Sequence, residues 1–392
     1  MITARSAQRV CAAVLAAGAC APAQASYTGL VFGALVDPSD GSFFTQVYDI
    51  SADGSSYVGL TNTFVPRLVS DGAIFNLSGP GGALAISGDG LIAAGGVNSF
   101  ELPRRWQLAD AVGQNIPGGA FPVPASPSVP DGVPFGGGQA FTLNTTGTTA
   151  NIVDASGGTW VITPDTVYDV RRGFADIEPD ASFGANRGMA TDAPIFVGLA
   201  QIPSQGFGPT RYNYVTGEAE ILALPEGADR ARTNTQGNQI SADGSVVGGS
   251  FVFPSESAIE QPGYWDADGN AVRIPALGDR IWGDARAVDP TGNFLGGGLS
   301  GVGLQDRAFL HNRFTGETVD LNEVFADILP EGWILFETLH IGENASRLFV
   351  SALAPDGTGR VVELQGEAII PAPGAFALLL GSAGVISRRR RG

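Results

Sequence analysis

Short apolar stretches separated by glycine-containing turns run through most of the chain, and this alternation predicts β-strands joined by tight hairpins. The clearest turn reads Ile-Ser-x-Asp-Gly, and a short apolar stretch ending in glycine follows it. Asp-Gly between apolar stretches is a strong hairpin signal because glycine accepts the positive φ of a tight turn. The three strongest copies place the turn residues at Asp53 and Gly54, Asp89 and Gly90, and Asp243 and Gly244.

Weaker copies of the turn divide the chain into seven units. They lie at 143–147, 189–193, 288–292 and 341–345. Successive turns are about 48 residues apart on average, which is about the length of one four-stranded propeller blade. The last unit supplies three strands, and an unpaired apolar strand, 28–35, precedes the first unit. We therefore predict an all-β fold: a single β-propeller, with seven four-stranded blades closed by the N-terminal strand.

Two stretches depart from this strand pattern. The Pro/Gly-rich stretch 116–138 has no strand periodicity, so we predict a long excursion between units two and three. Residues 322–329, which precede a proline, predict a short helix.

One unit shows the order of strands within a blade. After the turn at 241–244, Val246 and Val247 begin the second strand, and the third and fourth strands are predicted at 263–265 and 271–274. The Ser-x-Asp-Gly turn, the later aromatic strand and the closing strand resemble the HAF family of extracellular repeat proteins. The resemblance covers most of the chain between its terminal segments. It implies a propeller-like fold and export, and it offers no agreed catalytic residues to carry over.

The N-terminus has the three parts of a signal peptide. A basic start and an alanine-rich apolar run, 10–21, predict a signal peptide over residues 1–25. Small residues at Ala23 and Ala25 predict cleavage by signal peptidase before Ser26. Both cysteines lie in this segment, so the mature chain would hold neither a disulfide nor a thiolate metal site. The second cysteine leaves lipoprotein processing as the alternative.

The C-terminal segment, 367–392, combines a Pro-x-Pro motif, a short apolar run and a basic end. The motif and the basic end consist of Pro371, Ala372, Pro373 and Gly374, and of Arg388, Arg389, Arg390 and Arg391. The apolar run spans about 18 Å as a helix, against about 30 Å of hydrocarbon, so it is short for a permanent anchor. The arginines would stay in the cytoplasm and halt export at the inner membrane.

This order of features resembles the PEP-CTERM sorting signal of Gram-negative bacteria, with alanine where that motif has glutamate. The resemblance implies cleavage near the motif by an exosortase-type protease, and release to the cell surface or extracellular matrix. Contact with the membrane would then be limited to export. An ordinary tail anchor or a disordered basic end is the alternative. The domains predicted are thus 1–25, a propeller over 26–366, and 367–392.

The charge balance narrows the range of partners. All 22 basic residues are arginines, whereas 39 residues are acidic, which gives a net charge of −17. A surface this acidic repels nucleic acid and anionic lipid, so nucleic acid is not an expected partner. The 56 glycines and 25 prolines, with only 16% charged residues, favour a turn-rich extracellular β-protein.

Residues capable of chemistry are few. The two histidines, His311 and His340, fall in different units, whereas a serine-type triad needs a histidine beside a serine and a carboxylate. We predict structural roles for both. The repeated turn aspartates could bind calcium, but accepting hydrogen bonds from the turn's own backbone is the simpler role. We expect no metal and no cofactor, with calcium as the alternative.

The tryptophans divide into two groups. Those at 106, 160 and 265 fall on third-strand segments, which favours packing in the core. Trp282 lies in a turn-rich stretch and is therefore the best candidate for an exposed aromatic side chain that stacks on a sugar ring.

The sequence predicts an exported protein of the cell surface or matrix of a Gram-negative-type bacterium, which binds or scaffolds extracellular polysaccharide. The alternative is a propeller hydrolase or lyase that acts on polysaccharide or a lactone, because propellers host both kinds of function. A structural component of the envelope is a third interpretation. Two histidines without a repeated motif favour binding over catalysis.

Overall fold

Seven antiparallel sheets follow one another along the chain and form the blades of a β-propeller. The computed structural model describes residues 31–37, 40–77, 82–96, 104–108, 115–116, 119–120, 138–154, 159–170, 182–202, 206–229, 239–254 and 259–366. The first strands of neighbouring blades pack beside one another around the axis, and blade seven packs against blade one. The prediction of a single seven-bladed propeller is therefore confirmed.

Each blade is a sequential meander, so its first strand is innermost and its last strand lies at the rim. Blade one holds β2 (Phe44–Ile50), β3 (Ser56–Thr61), β4 (Pro66–Ser70) and β5 (Ala73–Leu77); blade two holds β6 (Gly82–Ile86), β7 (Ile92–Gly96) and β8 (Arg104–Gln107); blade three holds β11 (Gly138–Leu143), β12 (Ala150–Asp154), β13 (Thr159–Ile162) and β14 (Val167–Asp169); blade four holds β15 (Ser182–Met189), β16 (Ile195–Ile202), β17 (Gly206–Asn213) and β18 (Ala219–Ile221).

The remaining blades follow the same order, except that one strand of blade seven comes from the N-terminus. Blade five holds β19 (Val247–Phe253), β20 (Ile259–Trp265) and β21 (Ala271–Arg273); blade six holds β22 (Trp282–Val288), β23 (Phe294–Gly301), β24 (Leu304–Asn312) and β25 (Glu317–Asp320); blade seven holds β26 (Ile334–Ile341), β27 (Arg347–Leu353), β28 (Gly359–Gln365) and β1 (Val31–Ala34). Ahead of β19, Ile240 forms an isolated bridge with Val247.

The N-terminal strand closes the ring, as predicted. β1 pairs antiparallel with β28, from Val31 opposite Gln365 to Ala34 opposite Val362. Phe32 packs edge-on against Trp333, with ring centroids 5.4 Å apart. Because the first and last parts of the chain share one sheet, blade seven has its full four strands only when both are in place.

Apolar residues from adjacent blades form the core. Where the ring closes, Phe44 and Tyr57 of blade one pack with Phe349 and Val361 of blade seven. Alternating strand positions contribute to the cores on either side of a blade, because successive side chains of a strand point to opposite faces. The tryptophans at 106, 160 and 265 are buried, which confirms their predicted core positions.

Two irregular segments show detail that the sequence did not predict. At the start of the predicted excursion 116–138, β9 (Asn115–Ile116) joins β5 in parallel and β10 (Gly119–Ala120) pairs with β8, and most of the remaining stretch lies outside the described residues. Two-residue strands have no periodicity for sequence reasoning to detect. The helix predicted at 322–329 is a single turn, α1 (Leu321–Val324), which ends at Phe325 and is followed by turns.

Candidate functional site

The Ser-x-Asp-Gly turn joins the first and second strands of a blade and makes three bonds of its own. In blade five, Ser241 Oγ donates to Asp243 Oδ1 (2.6 Å) and accepts from the N–H of Val246 (2.9 Å). Asp243 Oδ1 also accepts from the N–H of Ser245 (2.9 Å). The copies in blades one and two make the same three bonds. The aspartates thus have the turn-stabilising role that the sequence predicted.

These bonds lower the pKa of the turn carboxylates Asp53 and Asp243. Burial alone would raise the pKa of Asp243, but hydrogen bonds from Ser241 and Ser245 hold it below the usual 3.8. Burial would also raise the pKa of Asp53, but hydrogen bonds from Ser55 and Ser51 oppose it, and the net pKa is lowered.

The seven turns are also bonded to one another at the same end of the propeller, which we call the turn face. Six backbone N–H groups, each in one turn, donate to a carbonyl oxygen in the turn of the next blade. These bonds are Ala52 to Gly88, Asp89 to Thr145, Thr145 to Thr191, Asp192 to Ala242, Ala242 to Pro290, and Glu343 to Ala52. With a seventh bond between blades six and seven, they form a closed ring.

The seventh bond uses a side chain, because blade six has Pro290 at the position that donates in blades one, three, five and seven, and proline has no N–H. Asp289 replaces the serine of the motif, and its Oδ1 accepts from the N–H of Phe294 (2.8 Å) as that serine does. Its Oδ2 accepts from the N–H of Asn344 in blade seven (3.3 Å). Burial raises the pKa of Asp289 although hydrogen bonds, the first from Thr291, oppose the shift.

The turn glycines have a second role besides positive φ. Gly244 has φ +78°, and a Cβ placed there would lie 2.8 Å from Cβ of Ile195 in blade four. In blade three, a Cβ at Gly147 would lie 2.6 Å from Cβ of Ile92 in blade two. The glycine therefore allows one blade to approach the preceding blade closely, which explains why the motif repeats.

Both histidines are buried structural residues, as predicted. Both ring nitrogens of His340, on β26, have a hydrogen-bond partner. Nδ1 lies 3.1 Å from Nε2 of Gln239 in blade five, and Nε2 lies 3.1 Å from the Val47 carbonyl oxygen. His311 Nδ1 lies 2.9 Å from Oγ1 of Thr318. Burial lowers the pKa of each histidine to about 4, so both are neutral at pH 7.

An ion cluster that the sequence did not predict lies on the innermost strands of blades six and seven. Arg286 Nε donates to Asp284 Oδ2 (2.7 Å), and its Nη1 lies 3.0 Å from Glu337 Oε1. Burial raises the pKa of Glu337, although Arg286 opposes the shift. Arg286 is the extra residue of a β-bulge in β22, and such bulges re-aim side chains. Pattern reasoning misses it because a bulge breaks the alternation.

Another carboxylate joins blades one and two. Asp49, on β2, accepts from its neighbour Ile50 N–H (2.9 Å) through Oδ1 and from the N–H of Ile86 on β6 (2.9 Å) through Oδ2. Burial raises the pKa of Asp49 to about 7 even though both hydrogen bonds oppose the shift.

The end of the propeller opposite the turn face, which we call the far face, contains an open cleft. Strands alternate in direction within a blade, so the end of β21 and the loop that leads to β22 lie on the far face. A cavity of about 260 Å³ lies there, lined mainly by Gln261, Pro262, Arg273, Ile274, Pro275 and Ile281. Most of this lining is apolar, with one amide and one guanidinium.

Arg273 is held in place at this cleft. Its Cζ lies 4.4 Å from the ring centroid of Phe253, a cation–π contact, and its Nη2 donates to Oε1 of Gln261. Gln261 is only 4% exposed, so its amide has a fixed environment. Sequence reasoning missed this site because its residues come from two strands and a loop, and none belongs to a repeated motif.

Trp282 is not the exposed side chain that the turn-rich sequence predicted. It begins β22 opposite Ser300, and its ring is half-buried. Its Nε1 is buried and has no hydrogen-bond partner among the described residues. Its neighbour Ile281 lines the cleft, so Trp282 lies on the far face, close to the cavity.

Several predictions concern parts that lie outside the described residues. These are the cleavage site at Ala23, Ala25 and Ser26, the motif 371–374 and the arginines 388–391. Over the described ranges, no helix is long and apolar enough to cross a membrane. Within those same ranges, no three His, Cys, Asp or Glu side chains form a group that could hold a metal ion.

Comparisons with known proteins yield likenesses of structure alone. No protein-family model matches the sequence, and no curated protein matches it. Solved structures that are similar include YCF48 from Cyanidioschyzon merolae (12% identity, 85% of this chain and 98% of that chain, TM-score 0.42). The RRP9 WD40 repeats share 9% identity over 86% of this chain and 100% of that chain, with a TM-score of 0.46.

TolB and a glycoside hydrolase are also among the similar structures. TolB from Acinetobacter baumannii shares 13% identity over 87% of this chain (TM-score 0.33), and the GH74 xyloglucanase from Xanthomonas campestris shares 10% over 88% (TM-score 0.47). The matches cover 65% and 55% of those two chains, so this chain spans less than two thirds of either. None of these likenesses says what the present chain binds or acts on.

Proposed function

We propose that this chain is an exported propeller, sorted by an exosortase-type protease to the cell surface or matrix, where it binds or scaffolds extracellular polysaccharide. The cleft on the far face is the observation that carries the binding role. It is concave and mostly apolar, and it has a few fixed polar groups, as small-ligand sites usually do.

The positions of the two ends of the described propeller support a far face that points away from the cell. Val31 pairs with Gln365, and the N–H of Gly366 donates to the carbonyl oxygen of Ser346 (2.9 Å), in a turn-face loop. Both ends of the described propeller therefore lie on the turn face. A C-terminal sorting segment that follows Gly366 would direct that face toward the cell, and the far face would point outward.

Two experiments test the proposal. Peptide mapping of secreted material should find a mature chain that begins at Ser26 and lacks Arg388 to Arg391; retained arginines would contradict sorting. The mature protein should bind the producer's matrix polysaccharide, and Trp282→Ala should weaken that binding if the indole contacts a sugar ring. Phe314→Ala, at a 56% exposed position on the turn face, is the matched control.

A propeller hydrolase or lyase is the second candidate, because Asp284 and Glu337 both contact the Arg286 guanidinium. Glycosidases use a pair of carboxyl groups, one as the acid and the other as the base or nucleophile. Release of reducing ends or unsaturated sugars, lost in both Asp284→Asn and Glu337→Gln, would favour the enzyme. Binding without products would favour the first proposal.

A further inference from the structure

We propose that the far-face cleft selects a neutral 6-deoxyhexose residue, a sugar with a methyl group where most hexoses have a hydroxymethyl group; this deepens the proposed polysaccharide-binding function and rests on it. The cavity of about 260 Å³ is smaller than the ~300–1,000 Å³ of typical small-molecule sites, so it accommodates one sugar residue rather than an extended chain. The rest of the polymer would continue along the surface.

The polar side chains at the cleft are engaged within the protein. The Arg273 guanidinium stacks on the ring of Phe253, with Cζ 4.4 Å from the centroid, and donates to Oε1 of Gln261. Gln261 itself is almost fully buried. Both side chains thus have partners of their own, so the surface that the cleft offers to a ligand is chiefly its apolar part.

The backbone at the cleft adds few hydrogen-bond donors. Pro262 and Pro275 have no N–H, and the N–H of Ile274 donates to the carbonyl oxygen of Pro262 (2.9 Å). A hydroxyl group placed against this wall would lose its hydrogen bonds to water without replacement, which is costly. A methyl group has no such bonds to lose.

Apolar atoms also form the open side of the cleft. Pro275, Ala276 and Ile281 belong to the lining and are exposed to solvent. A methyl group that contacts them removes apolar surface of both partners from water, which favours binding. Because the cleft is open, the ring hydroxyls of such a sugar can point outward and stay hydrated.

The charge of the protein favours a neutral ligand. A net charge of −17 repels an anionic polymer, whereas a 6-deoxyhexose carries no charge. The electrostatic repulsion therefore disfavours acidic sugars, and the apolar lining disfavours a hydroxymethyl group at the same point.

The test is a ligand-observed NMR titration of the mature protein with two pairs of methyl glycosides. The members of a pair differ only in a methyl or hydroxymethyl group: L-rhamnoside against L-mannoside, and L-fucoside against L-galactoside. We expect the deoxy sugar of at least one pair to bind about 10-fold more tightly than its partner, because the partner buries a hydroxyl group in the apolar cleft. In saturation-transfer spectra its methyl protons should receive more saturation than its ring protons. Equal binding within both pairs would overturn the proposal.

Variants of Ile281 assign the preference to the cleft. Ile281→Ala should weaken binding of the deoxy sugar about 3- to 10-fold and remove most of the preference, whereas Ile281→Val should keep both. Leu91→Ala, which changes a 51% exposed apolar residue on the turn face, is the matched control and should bind like the wild type. Wild-type binding by Ile281→Ala would contradict the site. Tighter binding of N-acetyl-leucine amide than of either deoxy sugar would overturn the assignment to a sugar.

The outcomes also separate this site from the proposed function. If the wild type and Ile281→Ala bind the producer's polysaccharide equally, the polysaccharide function stands and the methyl site is wrong. If the deoxy sugar binds through Ile281 but the producer's polysaccharide does not bind, the site stands and the proposed ligand is wrong. Circular dichroism of each variant confirms that the propeller is intact.

Discussion

The two ends of the propeller are built on different principles. On the turn face, seven loops at equivalent positions are hydrogen-bonded to one another around the ring, and those of blades one, two and five also share the Ser-x-Asp-Gly sequence and its local bonds. On the far face, the loops share no sequence, and six of the nine exposed large apolar residues among those described lie there: Val36, Phe64, Ile281, Val302, Leu304 and Ile328. Repetition thus marks the end that closes the ring, and its absence marks the end available for binding.

The two faces differ because their loop residues are under different steric constraints. A turn-face glycine needs both a positive φ and space for the preceding blade, so few substitutions are tolerated. A far-face loop such as the one at Ile281 has no equivalent partner in the next blade, so its sequence can vary with a ligand.

The largest expected effect comes from opening the ring. Removing residues 28–35 takes β1 from β28 and exposes the apolar surface that Phe32 and Leu35 cover. We expect a loss of roughly 3–5 kcal/mol in the free energy of unfolding, from lost burial alone. Urea unfolding measures it. Phe64→Ser, on an exposed far-face loop, should change stability by less than about 0.5 kcal/mol; an unaltered midpoint in the truncated protein would contradict closure by β1.

Asp49, which joins blades one and two, should make the stability of the propeller depend on pH. Its pKa of about 7 in the folded protein is higher than in the unfolded chain, so the folded state holds an extra proton between about pH 4 and 7. Stability from this group is therefore present at low pH and lost as pH rises to 7. The wild type should lose roughly 2–4 kcal/mol relative to Asp49→Asn over that range. Identical pH slopes for the two proteins would exclude the effect.

The two histidines contribute with the opposite sign. Their folded pKa of about 4 lies below the usual 6.5, so the unfolded chain binds more protons between those values. Asp49→Asn should therefore become less stable as pH falls from 6.5 to 4, because the histidine contribution is no longer offset.

A pair of glycine variants isolates the contact between blades. Gly244→Ala suffers both the positive φ and the clash with Ile195, whereas Gly217→Ala has a similar φ (+76°) and no atom within 4 Å of its new Cβ. We expect a cost of about 1 kcal/mol for Gly217→Ala and about 2–4 kcal/mol for Gly244→Ala. Equal costs, measured by denaturant unfolding, would mean that the close approach of blades does not matter.

The smallest expected effect concerns a turn carboxylate. Asp243→Ala removes bonds to Ser241 and to the N–H of Ser245, and should cost about 0.5–2 kcal/mol. Asp268→Ala, at an exposed acid in another turn of the same blade, should cost less than about 0.5 kcal/mol. Chelator should leave the melting temperature of the wild type unchanged; a drop that Asp243→Ala abolishes would assign calcium to this turn.

The sequence revealed the turn face because its chemistry is local. Ser241, Asp243 and Gly244 act within one turn, so the residues that matter are adjacent in the chain and recur in the next blade. The closing strand was also predictable, since one unit lacked a strand and 28–35 was left over. These features account for the fold and for the roles of the turn residues.

The far face escaped prediction because its contacts join distant positions. Gln261 and Arg273 meet only when β20 and β21 pair, and Ile281 joins them from a loop. Trp282 looked exposed because glycines and charged residues surround it, yet pairing with β23 half-buries it. Register and bulges decide such placements, and a single sequence does not specify them.

The central claim is that ligand binds on the far face and leaves the turn face untouched. Hydrogen exchange of the mature protein, with and without the producer's matrix polysaccharide, tests it most directly. We expect new protection at residues 259–265 and 271–282, which surround the cleft, and none at the turn 241–246. Protection confined to the turns, with no change around the cleft, would contradict the account.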